Sequence, residues 1–127
     1  MLNCGKVSAN IFMEIDVNLE NAQNLIQKGE SNTLELKKST AQIKAIGQTL
    51  CAFLNGNGGV VIIGVNDKGK IIGQHVTDNT LREVANMLKS LEPFPAVDAE
   101  YLPLPDSDKH IILMAAPICV ISQQQHE

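Results

Sequence analysis

Residues 60–65 read VVIIGV, and no other stretch narrows the fold of this 127-residue chain as much. A continuous, largely β-branched run of this length suits a central strand buried on both faces. The NGNGG stretch that precedes it (residues 55–59) gives the backbone freedom to leave a helix and enter that strand. It is not a nucleotide loop. No G-K-[ST] follows to open a helix, and the third glycine of a dinucleotide fingerprint would fall on Val61.

The remaining elements follow from periodicity around this strand. Asn18 suits an N-cap, and Leu19, Ala22, Leu25 and Ile26 recur at helical spacing until Gly29 offers a stop. In TLELK, Leu34 and Leu36 alternate with Glu35 and Lys37, the period of a half-buried strand. Ser39 or Thr40 can cap a second helix whose apolar stripe is Ile43, Ile46, Leu50, Phe53 and Leu54. NDKG is a turn and KIIG returns the chain, so residues 60–73 read as a β-hairpin. Asp78 or Asn79 caps a third helix with Leu81, Val84, Ala85, Leu88 and Leu91 inward, stopped by EPFP. Two last strands are expected over residues 97–102 and 110–114. The fold class is α+β: a mixed sandwich of about three helices packed on a sheet of about five strands. Residues 18–116 form the domain, residues 1–17 an N-terminal extension with no clear period over its first dozen, and residues 117–127 a short polar tail.

Composition narrows the function classes. No apolar run approaches the roughly 18 residues that a membrane helix requires. The start lacks a basic segment followed by an apolar one, so a cytoplasmic protein without membrane attachment is expected. Three cysteines, far apart and never in a C-x-x-C pair, argue against a zinc site or a disulfide framework, and the three histidines are equally scattered. The net charge of −4 argues against a uniformly basic nucleic-acid binder, but residues 28–70 carry six lysines against three acids. A basic middle within an acidic chain permits a local phosphate-binding face; on charge alone, lysines that only keep the surface solvated explain it equally well.

The most informative pair is Glu35 and Lys37, which two-residue spacing puts on one face of a strand. A carboxylate able to hold Mg²⁺ or Mn²⁺ beside an ammonium able to meet a phosphate is the pairing phosphodiester chemistry uses. The same pair also occurs on many solvated strands, and Asn66 and Asp67 have a sufficient structural role in a hairpin turn.

Taken together, GESNTLELKKS and LCAFLNGNGGVVIIGVNDKGKIIG resemble the two signature blocks of the Schlafen AlbA-type domain family, over residues 29–73. That pattern is roughly E-S-x-x-x-E-F-K, then A-F-x-N-x-x-G-G, a strand, and G-V-x-D-x-G. The resemblance implies a Schlafen AlbA-like fold. It also implies one of two activities: a DNA-binding domain of the transcription-regulator type, as in prokaryotic members, or a metal-dependent endoribonuclease acting on structured RNA, as in vertebrate ones. Matched residue by residue, the nuclease carboxylates fall on Glu30, Glu35 and Asp67, which would hold Mg²⁺ or Mn²⁺, and the neighbouring basic residue falls on Lys37. Glu30 and Glu35 are an odd number of residues apart, so Glu30 has to sit in a turn before the strand for the three to assemble. Leu36 stands where the family has Phe, Asn66 replaces the first Asp of V-D-D, and the end, ICVISQQQHE, departs from the family's basic, aromatic finish. The second half of the vertebrate enzymes has no counterpart here, so a clamp on RNA would require a homodimer.

Two readings follow. In the first, Lys37, Lys38, Lys44, Lys68 and Lys70 meet the phosphates of DNA or RNA, aided by the helix N-terminus at Thr40, and no cofactor is required. In the second, Glu30, Glu35 and Asp67 coordinate divalent ions for endoribonuclease chemistry while Lys37 neutralises a phosphate oxygen.

Overall fold

A computed structural model describes residues 18–91 and 97–117. The expectations for the N-terminal extension and most of the C-terminal tail, including Cys4, Cys119 and His126, lie outside the described residues. The VVIIGV run builds the centre as expected: β2 (Gly59–Ile63) is buried throughout. It pairs in parallel with β1 (Leu34–Lys37), Leu34 facing Val60 and Lys37 facing Ile63. On its other side it runs antiparallel to β4 (His110–Ala116), which pairs antiparallel with the edge strand β3 (Ala99–Pro103). The order is β1-β2-β4-β3.

Alternation along β2 sorts the core into two layers. Val61 and Ile63 face α2 (Ile43–Leu54) and α3 (Asp78–Lys89), joining Ile46, Leu50, Val84 and Met114. Val60 and Ile62 face the opposite way, toward α1 (Leu19–Lys28), where Ala22 and Ile26 meet Leu34, Ile111 and Leu113. Cys51, a free thiol on α2, packs half-buried against the first layer.

The helix ends follow local chemistry. The Asn18 side chain accepts from the Asn21 amide at 2.9 Å, and Gly29, at φ 81°, donates its amide to Ile26 O and closes α1 where the pattern ended it. Ser39 caps as expected, but its side chain opens a 3₁₀ turn (Thr40–Gln42) that leads into α2. For α3 the cap is Thr77, not Asp78 or Asn79. Thr77 Oγ1 accepts from the Thr80 amide at 3.2 Å and Thr80 Oγ1 accepts from the Thr77 amide at 3.1 Å, a reciprocal pair that no acid one residue later can form. The expected inward stripe holds at Val84, Leu88 and Leu91 but not at two of its positions. Thr80, Val84 and Met87 go inward, while Leu81, at 43% exposure, and Ala85 face out.

The sheet has four strands among the described residues, not about five. The expected hairpin has its turn but not its returning strand. Asn66 closes the turn: its amide donates to Lys70 O, and its side-chain Oδ1 accepts from the Lys68 and Lys70 amides, each at 2.9 Å. Beyond it, only Val65 and Ile71 form a bridge. The amides of Ile72 and Gly73 both donate to Gly64 O at 2.8 Å, so the chain crosses Gly64 instead of running alongside it. Gly64 and Gly73 have φ of 105° and 71°, and a Cβ on Gly64 would stand 3.1 Å from the Gly73 Cα. That crossing is open to glycine and closed to a regular ladder.

Candidate nucleic-acid interface at the β1 edge

The carboxyl ends of the parallel strands β1 and β2 lie side by side, a position at which open α/β sheets commonly form a crevice. The Lys37 carbonyl, at the end of β1, accepts from the amides of both Gly64 (2.8 Å) and Val65 (3.0 Å). This carries the β1–β2 pairing past the last residue of β2 and holds the Asn66–Lys70 turn against Lys37 and Lys38. Between them lies an open cleft of about 430 Å³ lined by Glu30, Glu35, Lys37, Lys38, Ser39, Gln42 and Asp67, with Leu36 beneath. An adjoining hollow of about 450 Å³ takes in Glu30, Asp67 and Lys68 and reaches Ile26 at the foot of α1.

Glu30 occupies the position that the spacing required. It lies before the Ser31–Thr33 turn, outside the strand, and its Oε2 reaches back to accept from the Leu36 amide at 3.1 Å. The odd spacing to Glu35 is thereby overcome by a turn, and the two carboxyls become neighbours. Lys37 Nζ lies 3.7 Å from Glu35 Oε2, with side chains 17% and 33% exposed. Glu35 is held above the ordinary carboxylate range by partial burial first and by the Glu30 charge second; Lys37 opposes the shift without cancelling it. Its neutral form also shares a hydrogen bond with Glu30.

The cleft thus gathers Glu30, Glu35, Asp67, Lys37 and Lys38. Lys68 lines the adjoining hollow, whereas Lys44 and Lys70 are exposed and line neither. Among the described residues, no three of the His, Cys, Asp and Glu side chains are grouped as a metal ion would need. Glu30 and Glu35 pair, while Asp67, on the tip of its turn, stays on the cleft wall. The fit to Mg²⁺ or Mn²⁺ is therefore that of two neighbouring carboxylates, with waters to fill the remaining positions.

The helix N-terminus is not available to an anion in the way the sequence suggested. Thr40 is 8% exposed, and its amide donates to Gln74 Oε1 at 2.7 Å. Ser39 Oγ takes the Ala41 amide, Ser39 O takes the Gln42 amide, and Gln42 Oε1 takes the Lys38 amide. The donors at this turn already have partners, so the dipole has little to offer a phosphate there. Ser39, Gln42 and Gln74 are the residues that sequence reasoning missed as shapers of the site. A polar cap at Ser39 was legible, but the Gln74 contact spans 34 positions and leaves no periodic signal.

The family model described as Schlafen, AlbA_2 matches residues 30–126, well over half of the chain. Among solved structures, the chain is similar to the N-terminal domain of a Nitrosomonas europaea protein described as related to the ATP-dependent DNA helicase RecG. That likeness has a TM-score of 0.52 at 17% identity, covering 82% of this chain and 77% of that one, and it concerns the fold. No curated protein matches the sequence. Among the described residues, no helix is long and apolar enough to cross a membrane.

Proposed function

The chain belongs to the Schlafen AlbA_2 family, and on that premise we infer that it is a nucleic-acid-binding domain that grips phosphates along the β1 edge. The observation that carries this reading is the joining of Lys37 and Lys38 on one cleft wall with Lys68 in the hollow beside it, all at the carboxyl ends of two parallel strands. Lys44 and Lys70 extend the positive surface on either side. The solved relative's description as DNA-helicase-related agrees with a nucleic-acid partner. Binding rests on phosphates more than bases, because aromatic residues make up only 3% of the chain and none lines the cleft among the described residues. Titrating the protein with a short DNA duplex and a folded RNA over a range of salt tests this. The affinity falls as salt rises, and the Lys37→Ala/Lys38→Ala variant gives a shallower salt slope, by about 0.9 per lysine lost on duplex DNA. Affinity that is independent of salt, or unchanged in that variant, refutes the interface.

A second reading, a divalent-metal-dependent endoribonuclease with Glu30, Glu35 and Asp67 as its acids, is favoured by one specific observation. Two carboxyls held side by side, one of them made harder to ionise by the other, form an arrangement that a cation relieves. A bound Mg²⁺ or Mn²⁺ would supply an activated water and stabilise charge on the scissile phosphate. The chain's own part is to hold Glu35 against Glu30 and to keep Lys37 within reach of a phosphate oxygen. The test is cleavage of a folded RNA in Mn²⁺ or Mg²⁺ that is lost in Glu35→Ala with binding retained. Cleavage that survives chelation or that substitution removes this reading and leaves the first intact.

A further inference from the structure

A second concavity lies away from the β1 edge cleft, on the sheet face that α1 covers. It is a mostly apolar groove of about 540 Å³ running beside α1 over β1, β2 and β4, with Leu34, Val60 and Leu113 in its floor and Asn18 and Lys28 at its rim. Among the described residues, the opposite sheet face is covered by two helices of 12 residues each, this one by a single helix of 10. One face is left short of cover.

The geometry points to residues 11–17 of the same chain as the occupant of this groove, laid across the sheet as an extended segment. Three observations choose it. First, the segment ends where the groove begins: Asn18, the next residue, is itself part of the rim. The chain therefore enters at the groove mouth, and docking is intramolecular, with the high effective concentration this brings. Second, MEIDV (residues 13–17) alternates apolar and acidic, and the same period puts Ile11 with Met13, Ile15 and Val17 on one face and Phe12 with Glu14 and Asp16 on the other. This two-residue period suits an extended segment with one side on an apolar floor. Seven extended residues span about 23 Å. Crossing from β1 to β4 takes two strand spacings, about 10 Å, so the reach suffices. Third, the one charged residue among the described residues lining the groove is Lys28, and the segment carries Glu14 and Asp16. The competing segment after β4 leaves from Pro117, which does not line the groove, and its only acid is Glu127.

This site is independent of nucleic-acid binding, and its test is structural. In the full chain with labelled Ile, Leu and Val methyls, nuclear Overhauser contacts are expected from Ile15 and Val17 to Leu34, Val60 and Leu113, unchanged on dilution. Ile15→Asp is expected to remove them while contacts within the sheet remain, so the loss cannot be put down to unfolding. Phe12→Asp, on the outward face, keeps them. The proposal is overturned if residues 11–17 show no contact with the floor. It is equally overturned if the floor instead contacts Ile118 or Val120, or if isotope-filtered spectra show the contacts to arise between two copies of the chain.

Discussion

The two faces of the sheet are built from the same alternating strands but closed to different degrees. Beneath α2 and α3, Ile46, Leu50, Val61 and Ile63 are fully buried. Beneath α1, Val60 keeps 9% and Leu113 7% of their surface, and Ala115 is half-exposed at the groove. A face covered by two helices is sealed by their contact with each other, whereas a single helix seals only the strip beneath it. The open face is where the molecule can accept something more.

Truncations on the two faces give the largest expected contrast. Leu50→Ala leaves a cavity that tightly packed neighbours cannot fill and should cost about 3–5 kcal/mol; Leu113→Ala, at the groove, should cost about 2 kcal/mol. Chemical denaturation of both variants measures the gap. The gap that remains measures how far the segment proposed for the groove closes the α1 face; a Leu113→Ala loss that shrinks further when Ile15→Asp is added would show the two acting together. Next come the caps. Thr77→Ala breaks both reciprocal bonds at the start of α3 and should cost about 1.5 kcal/mol, against about 0.5–1 kcal/mol for Asn18→Ala at the start of α1. A larger loss at Asn18 would show that α1 carries more of the fold than its length suggests.

The smallest effect concerns the carboxyl pair. Glu35 binds its proton more tightly folded than unfolded, so between the ordinary carboxylate value and its raised one the native state holds the extra proton. Stability therefore falls as pH rises through that window, and the penalty is complete above it. Glu35→Gln should remove that slope and leave the protein slightly more stable at pH 7, by less than about 1 kcal/mol, with no gain at pH 3. Denaturation curves at several pH values read it directly. A variant less stable at pH 7 would show that the Lys37 contact outweighs the burial and the Glu30 charge.

Much of this could be read from the sequence. The ends of α1, the turn at Asn66 and the buried strand follow from local chemistry and periodicity, which act over a few residues. The family signature brought Glu30, Glu35 and Asp67 into one cleft, and the odd spacing already demanded the turn in which Glu30 sits. Three features were illegible for one shared reason: each depends on a specific pairing of atoms that apolar periodicity does not mark. Gly64 and Gly73 cross and so deny the sheet a returning strand. Gln74 reaches Thr40 and takes the amide that a phosphate would have used. Thr77 outcompetes the acid that follows it because Thr80 bonds back to it.

The double acceptance at the Lys37 carbonyl has a consequence for how this domain tolerates change. Because consecutive amides, Gly64 and Val65, share that oxygen, the path from β2 to Asp67 is counted out residue by residue from β1. One inserted or deleted residue between Ile63 and Asp67 would turn the following side chains to the other side and carry Asp67 away from Glu30. The tip of the turn is open to solvent, yet its length is as constrained as that of the buried core.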